Sequence, residues 1–441
     1  MKFCLITLGC PKNQVDSEMM ARLLVDAGHQ AVAEPTSADV VIVNTCAFVH
    51  DARDESLDTL EQVAGQLRTD QHLIAAGCFP QRDARQICRR VPRVDGLLGT
   101  RSWAQIVEVV EQVAAGDGTR RIQHVAEGNL VASVARTALT GPTAYLKIAD
   151  GCDAHCAFCA IPAIKGPQVS KPLEEVLREA RELVDQGVLE LVLIAQDTTA
   201  WGRDLGVHDG LPLLLEHLAR IMPAEGWIRI LYAYPQHVSD ALVATMAGLP
   251  QVCHYLDMPL QHGHSQVLRR MRRPHDVETI HGRIAALRAA MPDIALRSTF
   301  IVGFPGETDD EFATLMHMLD EIAFDHVGVF TYSRERGTPA AEMADQVPGK
   351  IAQRRYHQMM VRQQDISLAR NRALLGRELT VLVDENQEGY AVGRSYRDAP
   401  EIDGSVLIPS AAPLQGLVRV RITEAQPYDL LAELVGGSRS G

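Results

Sequence analysis

Six of the nine cysteines in this chain stand just after a predicted strand, and that placement constrains the fold more than any other feature. Three form a tight loop, Cys152-Asp153-Ala154-His155-Cys156-Ala157-Phe158-Cys159, with CxxxCxxC spacing after an apolar run at 144–149. The others, Cys10, Cys46 and Cys78, are 36 and 32 residues apart, yet each ends an apolar run, at 3–8, 40–44 and 72–76. Between these runs, 17–27 and 51–66 have helical spacing. Alternating strand and helix predicts a parallel sheet covered by helices, and such sheets bind ligands along the carboxyl ends of their strands. That edge is where three distant thiols can converge, and Gly9 and Gly77 permit close backbone approach there.

A second alternating series supplies strand candidates at 144–149, 189–195, 228–233, 254–258, 296–302 and 327–332, with helical stretches such as 173–186 and 240–247 between them. Six β/α units predict a partial barrel whose active groups sit at the carboxyl ends of its strands. Beyond residue 371 the pattern changes to short strands, at 379–383, 389–394, 405–407 and 416–422, with turn residues between them. This is the pattern of a small antiparallel β-barrel. The polar stretch 115–141 reads as a linker and 436–441 as a frayed tail. The expected fold is therefore α/β in three domains: an open parallel sheet at 1–113, a six-unit barrel at 138–369 and a small β-barrel at 370–437.

No signal peptide is visible at the start, and no run approaches the roughly 18 apolar residues of a membrane helix. A cytoplasmic location is the expectation. Thiols stay reduced there, so clustered cysteines point to metal or redox chemistry instead of disulfides. Three thiolates on one loop can hold three corners of a cubane cluster and leave the fourth iron open. A structural zinc would require a fourth protein ligand, and His155 is too near in sequence to serve easily. Cys4, Cys88 and Cys253 show no such placement and read as core residues. His262 and His264 read as structural. The formal charge of −13 disfavours non-specific nucleic-acid binding, which needs clustered Lys and Arg, and favours a basic partner.

The CxxxCxxC loop resembles the radical S-adenosylmethionine signature. Together, the two triads, Leu8-Gly9-Cys10-Pro11-Lys12-Asn13, Asn44-Thr45-Cys46 and Gly303-Phe304-Pro305-Gly306-Glu307 resemble the methylthiotransferase family over nearly the whole chain. Ala195-Gln196-Asp197-Thr198-Thr199, Tyr232-Ala233-Tyr234-Pro235 and Asp398-Ala399-Pro400-Glu401-Ile402-Asp403-Gly404 are similar to its RimO subfamily, which modifies ribosomal protein S-twelve (uS12). The chain departs from the family at Lys165–Lys171, where several arginines are usual, at Gly263-His264-Ser265 and at Leu417.

The resemblance implies a radical enzyme that methylthiolates the β-carbon of a uS12 aspartate. It also implies two 4Fe–4S clusters, one on Cys10, Cys46 and Cys78, the other on Cys152, Cys156 and Cys159. S-adenosylmethionine would be both methyl donor and radical source, with Gly303, Gly306, Gln196 and Arg297 as candidate contacts at the barrel top. An electron donor and a sulfur source are further implied partners, and a monomer is expected. The terminal domain carries the resemblance of a TRAM domain. From residue 371 onward it holds seven Arg and no Lys against ten Asp plus Glu. That balance argues against tRNA as substrate, the alternative being a tRNA adenosine methylthiotransferase. It also makes Glu401 and Asp403 candidate exposed contacts for uS12. A non-catalytic iron–sulfur electron carrier is a third reading, though it would not need so large a barrel.

Overall fold

The computed structural model describes residues 1–116, 122–125, 134, 136, 141–274 and 276–435. The N-terminal domain is a six-stranded parallel sheet in the order β2-β1-β3-β4-β5-β6, where β1 is Lys2–Thr7, β2 Gln30–Ala31, β3 Val40–Thr45, β4 His72–Gly77, β5 Gly96–Gly99 and β6 Ile122–His124. β3 and β4 form its buried centre, as their unbroken apolar runs require. Helices α1 (Pro11–Asp26), α2 (His50–Gln66), α3 (Cys78–Arg90) and α4 (Ile106–Ala115) cover it. The chain reverses direction across the sheet between β1 and β3, the topological switch where open α/β sheets place ligands.

The sequence reading lacked β2 and β5, and two further features differ from it. The sheet continues past residue 113 to β6, inside the stretch read as linker, most of which lies outside the described residues. Arg136, from the same stretch, is fully buried between Glu18 of α1 (2.8 Å) and Glu179 (3.1 Å). Its charge is thus compensated, and this part of the stretch packs between domains. The tail at 436–441 lies outside the described residues.

The barrel strands follow chain order, all parallel: β7 (Thr143–Lys147), β10 (Glu190–Ile194), β11 (Trp227–Ile230), β12 (Val252–Asp257), β13 (Ala295–Val302) and β14 (His326–Thr331). A two-residue ladder, β8 (Ala149–Asp150) with β9 (Val169–Ser170), closes over the cysteine loop. α1 lies against β7 and shares an apolar cluster with Tyr145 through Val15, Met19 and Met20.

The C-terminal barrel is closed in the order β15-β16-β17-β19-β18: β15 (Glu378–Gln387), β16 (Tyr390–Ser395), β17 (Val406–Pro409), β18 (Leu417–Ala425) and β19 (Leu430–Leu434). β19 has no counterpart in the sequence reading, and it pairs with β17 in parallel. The other pairs are antiparallel, as expected.

This small barrel seals the amino-terminal end of the β/α barrel through buried ion pairs. Arg394 meets Glu190 (2.8 Å), and Arg229 meets the same carboxylate (2.7 Å). Burial opposes the charge on Glu190, but the two guanidinium groups outweigh it and pull its pKa down to about 2. Asp325 takes Arg397 (2.6 Å) and Arg370 (3.0 Å).

Arg297 and Asp403 belong to this seal, which corrects two expectations. Arg297 is the third residue of β13 and so sits at the end of the barrel opposite the cysteine loop. Its guanidinium is committed to Asp257 (2.9 Å) and Asp403 (3.2 Å). The Asp403 side chain is only 1% exposed and also accepts from Tyr255 Oη (2.7 Å); it cannot be a free docking charge. Glu401 remains exposed. Burial withdraws Arg394, Arg397, Asp398 and Asp403 from the surface, leaving four exposed arginines against seven exposed carboxylates among the described residues from 371 onward.

Candidate functional site: two cysteine triads on one cavity

The strand ends bring all six cysteines to the lining of one cavity of ≈ 600 Å³ between the N-terminal domain and the barrel. Cys10 is the N-cap of α1 and Cys78 the first residue of α3, so two of the three cysteines stand at helix N-termini. Gly9 has φ +93°, and a Cβ there would lie 2.7 Å from Cys46 Cβ. At Gly77 (φ +95°) an added Cβ would strike the Thr45 carbonyl at 2.7 Å. Both positions therefore require glycine for the triad to close. Asn13 holds the corner by donating to the carbonyls of Leu8 (3.0 Å) and Thr45 (3.2 Å).

The second triad is fixed by its own backbone. Cys152 N donates to Gly166 O (3.0 Å), and Ala157 N to Met271 O (2.9 Å). The sulfurs of Cys152 and Cys159 each accept a backbone N–H, from Ala154 and Ile161, at 3.4 Å. Arg273 Nη1 lies 3.7 Å from Cys156 Sγ, with its guanidinium over the Tyr234 ring at 4.1 Å.

Burial pushes the thiols of Cys78 and Cys159 up to about 12 and that of Cys152 to about 11. These three free thiols are protonated, so loading iron on them must release protons. Cations stand ready to offset the resulting charge. Lys165 is near Cys78, Arg273 is on Cys156, and Lys12 sits over the Tyr232 ring at 3.5 Å. Among the described residues no three His, Cys, Asp or Glu groups are placed to hold a single metal ion. Three-thiol sets around a large shared cavity fit multi-iron clusters instead.

Lys165 lines the cavity and belongs to a buried network of four charges. Lys147 pairs with Asp16, and Lys165 reaches Asp150 (3.1 Å) and Asp16 (3.3 Å). Burial disfavours charge on Lys165, yet Asp150 and Asp16 hold its pKa well above the ordinary lysine value. Asp16 comes from α1 and the other three from the barrel, so the network fixes one triad relative to the other. Gln196 lines the cavity and donates to Asp150 (2.9 Å), while its buried Oε1 has no partner among the described residues. An unmet acceptor beside the cysteines fits a ligand with N–H donors.

Gly303 and Gly306 do not line this cavity. A Cβ at Gly303 would strike Ala352, and the turn is closed by Glu307, which accepts from Phe304 N (2.9 Å). His262 is fully buried, accepting from His264 N (3.0 Å), and His264 caps the helix Ser265–Arg270. Sequence reasoning missed Lys12, Tyr232, Arg273 and the Asp16–Lys165 network. A signal existed for Tyr232 and Lys12, both inside motifs singled out above. Tyr232 (φ 61°) and Gln261 (φ 74°) hold left-handed conformations at the cavity wall, strain of the kind that marks functional sites.

Comparison with known proteins decides the family. The ribosomal protein uS12 methylthiotransferase RimO of Roseiflexus sp. (strain RS-1) is 50% identical over 99% of this chain and 97% of its own length. The chain belongs to the RimO family. It is a radical S-adenosylmethionine methylthiotransferase. The RimO proteins of Chloroflexus aurantiacus (49% identical, 98% of this chain and 99% of that one) and Geobacter sulfurreducens (43%, 98% of each) match along the same length. Residues 2–99 match uncharacterized protein family UPF0004, 146–319 the radical SAM superfamily and 375–435 the TRAM domain.

Among solved structures, the radical S-adenosylmethionine methyltransferase TsrM from Kitasatospora setae, with cobalamin and a 4Fe–4S cluster bound, superposes with TM-score 0.56. It is 12% identical over 77% of this chain and 76% of that one. The cobalamin-dependent radical enzyme OxsB gives 0.52 at 13% identity, over 83% of this chain and 56% of that one. These distant likenesses support the fold of this chain. Among the described residues no helix is long and apolar enough to cross a membrane.

Proposed function

We propose that this enzyme places a methylthio group on the β-carbon of an aspartate of uS12, using two 4Fe–4S clusters and S-adenosylmethionine. The observation that carries this reading is the convergence of both cysteine triads on one cavity. Cys152, Cys156 and Cys159 would hold one cluster, and Cys10, Cys46 and Cys78 the other. When bound, the barrel cluster with S-adenosylmethionine supplies a radical able to take hydrogen from an unactivated carbon. The chain's own residues orient and shield: Gln196 presents a free acceptor, Tyr232 and Phe158 exclude water, and Lys12 and Arg273 balance sulfur charge. The N-terminal triad would present the sulfur species, and the buried Asp16–Lys165 network keeps the two triads in register.

The acidic surface of the C-terminal barrel supports a basic protein substrate over tRNA. We further propose the boundaries 1–113, 138–369 and 370–437 as working domains, with β6 added to the first, and a cytoplasmic monomer. The test is mass spectrometry of uS12 from cells with and without the gene. The methylthio mass must vanish on deletion and return with the wild-type chain; persistence refutes the reading.

A further inference from the structure

Outside the cluster cavity, the N-terminal domain and the barrel enclose a second hollow of ≈ 840 Å³, and Cys159 lines both spaces. Beside Cys159 the hollow is apolar, formed by Ala160, Ala163 and Ile164. Around this floor stand five arginines, Arg53 of α2, Arg82, Arg85 and Arg89 of α3, and Arg336 after β14, against two aspartates, Asp54 and Asp83. Buried Glu335 pairs with Arg53 and with Arg82 (2.9 Å), and so ties the barrel loop to the N-terminal domain. Arg85, Arg89 and Arg336 are exposed and make no ion pair among the described residues. A patch of this sign is unusual on a chain whose net charge is −13.

We propose that this hollow docks an acidic, low-potential one-electron carrier protein, which reduces the barrel cluster through the side at which Cys159 surfaces. The proposal rests on the function proposed above, because only a cluster on Cys152, Cys156 and Cys159 requires this electron. One electron leaves the reduced carrier and enters the oxidised cluster. The carrier is left one-electron oxidised, any proton it sheds goes to solvent, and no bond to this chain forms or breaks. Elsewhere the acidic surface repels such a carrier, whereas here the arginines steer it. An apolar centre with a charged rim suits a transient encounter burying less than about 1,200 Å². RNA would also be drawn to arginines. Yet the hollow offers no Phe, Tyr or Trp for base stacking.

The test is anaerobic stopped-flow reduction of the full-length enzyme with both clusters loaded, followed by cluster absorbance and by EPR of the reduced cluster. The probes are reduced flavodoxin and reduced methyl viologen, a small cation that needs no docking. The R85E/R89E/R336E variant, matched in iron content, is expected to be reduced by flavodoxin at least about tenfold more slowly at low salt. Methyl viologen should reduce it no more slowly than wild type. The wild-type flavodoxin rate should fall as salt rises while the variant's stays flat. R336E alone, on a loop without a cluster ligand, should show a smaller loss of the same selectivity. Equal flavodoxin rates, equal slowing by both reductants, or a loss confined to binding of a ribosomal RNA fragment would overturn the docking assignment. Methylthiolation of uS12 driven by methyl viologen separates the two claims: its absence would refute the proposed function without bearing on the flavodoxin rates.

Discussion

Asp403→Asn removes one charge from the seal between the two barrels while keeping the side chain's shape. In the wild type Asp403 accepts from Tyr255 Oη (2.7 Å) and Ala399 N (2.9 Å), pairs with Arg297 (3.2 Å) and lies 3.7 Å from His326. Removing one partner of a buried ion pair costs about 3–5 kcal/mol. Asn still satisfies Tyr255, so a loss near about 3 kcal/mol is expected at pH 6.5.

The pH dependence carries the sharper signature. Burial opposes the charge on His326, but Asp403 and Asp398 outweigh it and raise its pKa from 6.5 to about 9. That lift corresponds to about 3 kcal/mol of linkage. Because the folded value is the higher one, the contribution is complete below pH 6.5 and drains away as pH rises through 9. The wild-type seal should therefore weaken across this window. In the variant Asp398, 3.4 Å away, and Asp325 still support the imidazolium, so the fall should be shallower. Urea unfolding at pH 6.5 and pH 9 reads both quantities through tryptophan fluorescence, since Trp227 lies in the apolar cluster at this seal. A variant within about 0.5 kcal/mol of wild type, with an unchanged pH slope, would refute the reasoning, because surface charges typically give no more than that.

Anaerobic reconstitution should yield about eight irons per chain, and replacing Cys152, Cys156 and Cys159 with Ala should leave about half, measured by iron and sulfide analysis; no remainder on the N-terminal triad would contradict a second cluster. Cys156→Ala should abolish 5′-deoxyadenosine formation, whereas Cys46→Ala should retain some cleavage of S-adenosylmethionine yet transfer no methylthio group, both read by chromatography and uS12 mass. Gly9→Ala forces a side chain against Cys46 at a left-handed position, and the backbone strain alone is about 1–2 kcal/mol. It should lose N-terminal iron while the barrel cluster's EPR signal stays, and full iron occupancy would show that the triad does not need the close approach.

The six cysteines, the two β/α series and the small barrel after them were legible in the sequence, because strand and helix periods are local and the cysteines follow the ends of apolar runs directly or share one loop after such a run. The lost strands, β2, β5, β6, β9 and β19, were short or lacked alternation, so no period announced them. Relations between residues far apart in the chain emerged only in the folded molecule. Asp403 looked like a surface charge in a polar stretch, and Arg297 like a group at the cofactor end. Their pairing across 106 residues places both in the seal, since strand direction, which no local pattern reports, puts residue 297 at the opposite end of the barrel. In the same way Lys165 gains its meaning only beside Asp16, 149 positions away. Cys159 opens onto an arginine-lined hollow only because α2 and α3 of the N-terminal domain are docked against the barrel loop that carries Glu335 and Arg336.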